Sequence, residues 1–203
     1  NDGLSDTVVG TVLSYKIHGA DMDWQTITSL TTEGPDPFLW TYNWTPSSDG
    51  VYDIKAEATD DAGNTESGPV VENITYDATN PTGAWITPMA DSTVHGTIAL
   101  EVSASDDTAG VKDVKFQYKR NDGADIFLDI TTDSESPFTA NWDTTSLILD
   151  AYTLKAIITD KAGNFIEKTR TVNVAAVVSG EGSTTPSESS AVITWTTDRL
   201  TKS

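Results

Sequence analysis

The chain has 203 residues and no cysteine, and its 31 acidic and 12 basic side chains give a formal net charge of −19 at pH 7. Because cysteine is absent, disulfides, thiolate metal sites and cysteine nucleophiles are excluded. The acidic charge argues against nucleic-acid binding, since phosphate contacts need clustered Lys and Arg. No apolar run approaches the roughly 20 residues that a membrane-spanning helix needs. We therefore expect neither nucleic-acid binding nor membrane insertion.

The predicted elements, taken in chain order, are β-strands. The segments "TVLSYKI" at 11–17 and "VYDIKAEAT" at 51–59 alternate apolar and polar residues, which is the pattern of a half-buried antiparallel strand. The segments "VKDVKFQYK" at 111–119 and "AYTLKAIIT" at 151–159 alternate in the same way. Turn motifs such as "NDG", "SSDG" and "DAGN" separate the strands, and no stretch sustains a helical period. The pattern predicts an all-β fold.

An internal repeat lies at an offset of 100 residues. The segment "YDIKAEATDDAGN" at 52–64 matches "YTLKAIITDKAGN" at 152–164. In each copy the glycine, Gly63 or Gly163, can take the positive φ that a tight hairpin requires. The Asp three residues earlier can accept hydrogen bonds from turn amides. This part of the repeat therefore predicts a strand followed by a tight turn.

Two aromatic positions of the repeat predict core contacts. Tyr52 and Tyr152 each stand two residues before an inward apolar residue, which is the placement of the tyrosine corner in immunoglobulin-like sandwiches. Trp44 and Trp142 match one another with a two-residue slip and are predicted to fill the space between two sheets. The repeat is interpreted as a packing unit, not as a duplicated active site.

Three segments of the second half carry a family resemblance. They are "SASDDTAGVKDVKF" at 103–116, "SPFTANWDTTS" at 136–146 and "YTLKAIITDKAGN" at 152–164. Together they resemble the bacterial Ig-like domains that occur in tandem on microbial surface proteins and secreted polysaccharide hydrolases. The resemblance covers residues 78–175 fully and residues 1–76 partly. It implies tandem immunoglobulin-like β-sandwiches from an extracellular or cell-surface protein, used as spacers or interaction modules without an active site of their own.

The two repeat units differ in their predicted completeness. Residues 77–176 form a complete Ig-like sandwich in this interpretation, because residues 79–107 supply its first two strands. Residues 1–76 have no such segment and are predicted to form an incomplete sandwich that lacks its opening strands. The face of the sheet that carries Tyr52 and Ile54 should then be only partly covered.

The C-terminal residues are predicted to contain a surplus strand. Residues 177–190 have the composition of a polar linker. Residues 191–203 resemble the opening strands of a fibronectin type III domain and place Ala191, Ile193 and Trp195 on one face of an orphan strand. Such a strand is either the start of a further domain in a longer array, or a donor strand that completes unit 1–76 of a neighbouring copy. The second alternative makes the protein its own partner in a head-to-tail filament.

Catalysis is not expected. The only histidines, His18 and His95, lie in different repeat units, so no histidine triad or zinc site is indicated. A glycosidase-like pair of carboxylates is an alternative that the sequence leaves open. Trp24, Trp40 and Trp85 have two interpretations: they bind a polysaccharide, as in the accessory segment of a secreted hydrolase, or they pack between sheets or domains.

No cofactor is required by the sequence, but calcium is a candidate. Carboxylate and amide oxygens, which Ca²⁺ prefers, cluster at two predicted turns. They belong to Asp60, Asp61, Asn64, Asp106 and Asp107. A calcium-stiffened adhesin stalk would use them as ligands, whereas the alternative is that they cap their own turns. Lys161 stands where the first repeat has Asp61, which weakens the calcium interpretation.

Two Asn-X-Thr sequons are candidates for modification. They begin at Asn43 and Asn73. Either asparagine could carry a glycan on the surface of an exported protein. Sequons are frequent by chance, so they add only a hint of an extracellular location.

Overall fold

The computed structural model describes residues 8–31, 41–176, 178–183 and 193–197, the last two ranges as backbone only. The chain divides into two compact units, Asn1–Thr79 (unit one) and Asn80–Ser203 (unit two), close to the boundary predicted after residue 76. Every regular element in the described ranges is a β-strand. The described part of the chain contains no helix long and apolar enough to cross a membrane.

The described strands of unit one form a single five-stranded sheet. They are β1 (Val8–Ile17), β2 (Gln25–Thr31), β3 (Gly50–Asp60), β4 (Thr65–Ser67) and β5 (Val71–Tyr76). Their order is β2-β1-β3-β4, and β5 also pairs with β3. β1 and β3 are antiparallel, with Leu13 opposite Ala56 and Tyr15 opposite Ile54. Within residues 8–31 and 41–79 there is no second sheet, as expected for a unit without its opening strands.

Unit two contains a sandwich of two sheets. Its strands are β6 (Thr82–Thr87), β7 (Thr93–Val94), β8 (Thr97–Ser105), β9 (Val111–Arg120), β10 (Leu128–Asp133), β11 (Phe138–Asp143), β12 (Asp150–Asp160) and β13 (Phe165–Val174). One sheet has the order β10-β9-β12-β13-β7, and the other has the order β11-β8-β6. Between them Leu100, Phe116 and Leu154 are completely buried. The predicted sandwich fold is confirmed for this unit.

The predicted tyrosine corners are present in both units. The hydroxyl of Tyr52 donates a hydrogen bond to the carbonyl oxygen of Ser48 at 2.6 Å, and the hydroxyl of Tyr152 donates one to the carbonyl oxygen of Ile148 at 3.0 Å. Both tyrosines are buried. Each corner therefore ties the start of a central strand, β3 or β12, to the loop four residues before it.

The predicted tryptophan contacts are also present. Trp142 lies on β11, and its ring centroid is 5.8 Å from that of Tyr152 on the facing sheet. Trp44 makes the equivalent contact with Tyr52 at 5.3 Å, but it lies in a segment, residues 41–49, that is not a strand. Unit one thus keeps the aromatic contact of the sandwich without the strand that carries it in unit two.

The C-terminal residues differ from the prediction. β14 (Val178–Ser183) pairs antiparallel with β15 (Ile193–Thr197), and the two form a sheet of their own. The prediction of a linker over 177–190 is wrong for residues 178–183, which form β14. The prediction of an orphan strand over 191–203 is wrong because β15 pairs with β14. A segment nearby in the chain is an accessible partner, because closing a short loop costs little entropy.

Candidate functional site

In the described part of unit one, one face of the sheet lacks the cover that the equivalent face has in unit two. We call it the open face. It consists of Leu13 and Tyr15 on β1 and of Ile54, Ala56 and Ala58 on β3, all of them half-buried. These side chains share a face because residues two apart on a strand point the same way.

The equivalent positions of unit two are completely buried. The repeat aligns Ile54 with Leu154 and Ala58 with Ile158, and both unit-two residues expose 0% of their surface, as does Ala156. In unit two the sheet β11-β8-β6 covers them. The local sequence pattern is the same in both units, so the difference lies in the second sheet, which residues 8–31 and 41–79 do not form.

The open face is covered at one end and hollow at the other. At the first end the ring of Trp44 lies 4.8 Å from that of Tyr15. At the other end, around Ala58, there is a cavity of about 200 Å³. It is lined by Val8, Ala58, Asp60, Asn64, Thr65 and Glu66. Because Ala58 is opposite Glu66 in the β3–β4 pair, both belong to this face, and the hollow end has room for a further side chain.

The opposite face of the same sheet is polar and paired within itself. Asp53 exposes only 3% of its surface, and its Oδ1 lies 2.6 Å from Nδ1 of His18. The ring centroid of Trp24 lies 5.2 Å from Nζ of Lys16 and 5.0 Å from Nζ of Lys55. Asp53 is therefore buried on this face by its neighbours, which include His18 and Lys16.

The predicted calcium ligands of unit one cap their own turn. Oδ1 of Asp60 accepts hydrogen bonds from the backbone N–H groups of Ala62, at 3.0 Å, and Asn64, at 2.7 Å. Oδ2 of Asp60 accepts a third, from the side-chain amide of Asn64 at 2.8 Å. Gly63 has a φ of 87°, as the turn requires, and Asp61 is exposed. The turn-capping alternative is therefore satisfied at Asp60 and Asn64.

In unit two a carboxylate that was not considered as a ligand lies beside a predicted one. Oδ1 of Asp106 accepts hydrogen bonds from two backbone N–H groups of its own turn, at 3.2 and 2.7 Å. A carboxylate oxygen of Asp160 lies within 4.8 Å of one of Asp106, while Asp107 is exposed. Asp160 could have been found as the repeat partner of Asp60, but its closeness to Asp106 depends on how β12 ends beside the β8–β9 turn.

The proposed sugar-binding aromatics do not form a shared surface in the described residues. Trp85 is a core residue: it exposes 7% of its surface, and its Nε1 donates a hydrogen bond to the carbonyl oxygen of Lys168 at 3.0 Å. Its interpretation as sheet packing is confirmed. Trp24 covers the two lysines described above, and Trp40 lies outside the described residues.

The remaining predicted residues lie on the surface or in the C-terminal hairpin. Asn43 and Asn73 are both exposed, and Asn73 has a φ of 60°. Ile193 and Trp195 belong to β15, whereas Ala191 lies outside the described residues. The two sequons are thus accessible at their asparagines, and their modification stays a prediction.

Acidification is expected to weaken the β3–β4 turn. Hydrogen bonds from the side chain and the backbone of Asn64 hold the pKa of Asp60 below its ordinary value. A carboxyl group with a lowered folded pKa contributes stability above its unfolded pKa of about 3.9, and this is lost as the pH falls through the folded pKa. The melting temperature should therefore change little between about pH 7 and 5 and fall below about pH 4.

The control is the Asp60→Asn variant, which keeps a side-chain acceptor but carries no charge. Calorimetry across the same pH range should give this variant a smaller acid-induced fall in melting temperature. Equal falls in the two proteins would contradict the assigned role of Asp60.

Two protein families match the chain. Residues 81–156 match the family described as "Bacterial Ig domain", and residues 37–77 match the family described as "Bacterial Ig-like domain". No curated protein matches the chain.

The chain is similar to three solved structures. The fibronectin(III)-like modules of Clostridium thermocellum CbhA are 20% identical, with 84% of this chain and 80% of that chain covered, at a TM-score of 0.45. The tetra-tandem repeat in the extending region of a large adhesion protein is 17% identical, with coverages of 96% and 56% and a TM-score of 0.37. Dimeric latent PorU from Porphyromonas gingivalis is 13% identical, with coverages of 95% and 23% and a TM-score of 0.33.

The family matches coincide with the repeat. The match over 81–156 begins at β6 and contains the corner residue Tyr152, and the match over 37–77 contains β3 and its corner residue Tyr52. Each match therefore includes the residue that holds the central strand of its unit in place. Residues 81–156 of unit two and residues 37–77 of unit one are similar to bacterial Ig-like domains.

Proposed function

We propose that this protein is a non-catalytic, extracellular structural subunit, and that its copies assemble head-to-tail by adding C-terminal β-structure to unit one of a neighbour. The observation that carries the proposal is the open face. Ile54 and Ala58 are half-buried there, while their counterparts Leu154 and Ile158 are completely buried in unit two. Burying apolar surface is favourable by about 25 cal/mol per Å², so contact with a partner that completes the sandwich is favourable.

The structural role rests on what the repeat preserves. The two copies share the tyrosine corner, the tryptophan contact and the Asp-capped turn, all of which hold strands in place. None of these residues belongs to a nucleophile–base pair within the described ranges. Bacterial Ig-like domains generally serve as spacers or interaction modules, and this family supports an extracellular or cell-surface location.

The positions of the two features support head-to-tail assembly. The open face belongs to unit one, and the β14–β15 hairpin belongs to the C-terminal end of unit two. A two-stranded hairpin is marginally stable alone in water, so both surfaces gain from contact. A contact between two different surfaces that does not close into a ring produces a filament.

Deleting residues 191–203 tests the proposal. Sedimentation velocity over a range of concentrations should show the intact chain growing in mean mass, with filaments visible by electron microscopy, and the deletion variant remaining a monomer. The Ile126→Ala variant removes an apolar side chain that is 70% exposed elsewhere in unit two and should assemble like the intact chain. An intact chain that stays monomeric throughout would refute the proposal.

A second candidate function is a calcium-stiffened stalk. The observation in its favour is that carboxylate oxygens of Asp106 and Asp160 lie within 4.8 Å of one another, which is compatible with a shared oxygen-seeking cation. Millimolar Ca²⁺ should then raise the melting temperature of the intact chain, an equal concentration of Mg²⁺ should raise it less, and the Asp106→Asn variant should lose the difference. Equal melting temperatures in both salts would exclude this candidate.

A further inference from the structure

β6 of unit two shows how the equivalent of the open face is covered. Gly83 and Trp85 lie on the inward side of this strand. A Cβ atom added at Gly83 would lie 2.4 Å from Cδ1 of Ile158, so β6 lies too close to the Ile158 side chain for any side chain at this position. Two residues further on, the ring of Trp85 lies 5.9 Å from that of Phe116. The cover of unit two therefore consists of a glycine over Ile158 followed by a tryptophan over Phe116.

Unit one has a small residue at the position where unit two has Ile158. The repeat places Ala58 where unit two has Ile158, and the cavity of about 200 Å³ lies beside it. The β1–β3 register places Leu13 opposite Ala56, as the β9–β12 register places Phe116 opposite Ala156. A strand covering unit one thus needs a large residue over Ala58, since a glycine there would leave the cavity empty, and an aromatic residue over Leu13.

β15 has this sequence. Aligning its tryptophan with that of β6 places "VITWTT" (192–197) on "TGAWIT" (82–87), so that Ile193 falls on Gly83 and Trp195 on Trp85. Ile193 and Trp195 share one face of the strand, because they are two residues apart. The pair Ile158 and Gly83 in unit two is thus matched by Ala58 and Ile193, with the large and small residues exchanged between the two strands.

The charge distribution favours the same contact. Residues 1–79 hold 14 Asp and Glu against two lysines, whereas residues 178–203 hold three acidic and two basic side chains. The two basic residues, Arg199 and Lys202, follow β15 after Asp198. A nearly neutral segment with two cations meets less repulsion at the acidic unit than other parts of this chain would.

We propose that β15 of a second copy of this chain occupies, in unit one, the place that β6 has in unit two, with Ile193 in the cavity over Ala58 and Trp195 over Leu13. This inference rests on the proposed head-to-tail assembly and adds its register and its contact residues. The occupant is the C-terminal hairpin of another copy, and closure of one chain on its own unit one is an outcome that the test distinguishes.

Cysteine pairing tests the contact directly, because the chain has no cysteine of its own. A chain with Ala58→Cys is mixed with a chain with Ile193→Cys and oxidised, so that a mixed disulfide can form only between copies. The expected product is the mixed dimer, identified by mass, because inter-sheet disulfides are accommodated in Ig-like sandwiches. The matched control uses Thr194→Cys, which points to the other face of β15 and should give little mixed dimer.

An exchange of side-chain size tests the register. Ala58→Ile fills the cavity and should weaken assembly about 5- to 150-fold, the range expected for overpacking. The double variant Ala58→Ile with Ile193→Gly reproduces the Ile158–Gly83 pair of unit two and should recover at least several-fold of that loss. The control Ala58→Ile with Thr194→Gly introduces the same glycine flexibility at the neighbouring position and should recover nothing.

The outcomes separate this inference from the proposed function. In one outcome, assembly depends on residues 191–203 but is unaffected by Ala58→Ile, and Thr194→Cys and Ile193→Cys give equal amounts of mixed dimer. This outcome overturns the proposed register and leaves head-to-tail assembly standing. In another outcome, a chain that carries both Ala58→Cys and Ile193→Cys forms a cross-linked monomer, and the single variants give no mixed dimer. This outcome shows that the strand comes from the same chain and overturns the proposal that a second copy supplies it. A monomeric intact chain overturns both.

Discussion

Replacing Leu154 by alanine is expected to destabilise unit two by about 2–5 kcal/mol, whereas the equivalent Ile54→Ala should cost unit one only about 1–2 kcal/mol. Leu154 is completely buried in the core between two sheets, and removing it leaves a cavity. Ile54 is half-buried on the open face, so less contact is lost and solvent can fill the space. The two strands carry the same repeat, which makes this a matched comparison within one molecule.

Hydrogen exchange measured by mass spectrometry can follow the two units separately, through peptides from β3 and from β12. The measurement belongs at concentrations low enough to keep the chain monomeric, since assembly would bury Ile54. Equal costs of the two substitutions in the monomer would mean that unit one covers its own face, and the proposed assembly would lose its physical basis.

Gly83→Ala is expected to destabilise unit two by about 1–3 kcal/mol or more. The new Cβ would lie 2.4 Å from Cδ1 of Ile158 and 2.4 Å from the backbone carbonyl oxygen of Ser103. The isoleucine can rotate away, but the carbonyl belongs to the β6–β8 pair and can move only with its strand. Thermal unfolding of the variant should therefore show a lower melting temperature for unit two, and adding Ile158→Val should restore only part of the loss.

Gly10→Ala is the matched control, since Gly10 is also a strand glycine. A Cβ atom there would meet only the carbonyl oxygen of Leu30, at the ordinary contact distance of 3.5 Å. This substitution should change stability by less than about 1 kcal/mol in either direction. A Gly83→Ala variant as stable as Gly10→Ala would contradict the close approach of β6 to β12 on which the size exchange depends.

Most of the local structure could be predicted from the sequence. The alternation of residues 51–59 and 151–159, the two tyrosine corners and the Asp-capped turns all appear as expected. Each depends on residues within a few positions of one another, so the information that forms them is contiguous in the chain. The single sheet formed by the described residues of unit one was also predictable, because one repeat could be compared with the other.

What the sequence left open depends on contacts between distant residues. Trp85, which had two interpretations, is a core residue because its Nε1 reaches the carbonyl oxygen of Lys168 in the facing sheet, and Asp53 is buried because His18 returns to it from the β1–β2 turn. The C-terminal strand has a partner in β14, although the Ser- and Gly-rich composition of that segment is typical of a linker. In each case the environment of a side chain depends on a partner that no local pattern identifies.

By itself, the sequence determined that this protein consists of repeated Ig-like units with alternating strands, capped turns and a tyrosine corner in each. Only the tertiary structure decided that the inward side chains of this strand are completely buried in one unit and half-buried in the other, and that a cavity lies beside Ala58, the repeat partner of the completely buried Ile158. The physical reason is that alternation specifies which side of a strand is apolar, whereas burial requires a second layer to pack against that side, and the presence of that layer depends on residues far away in the chain.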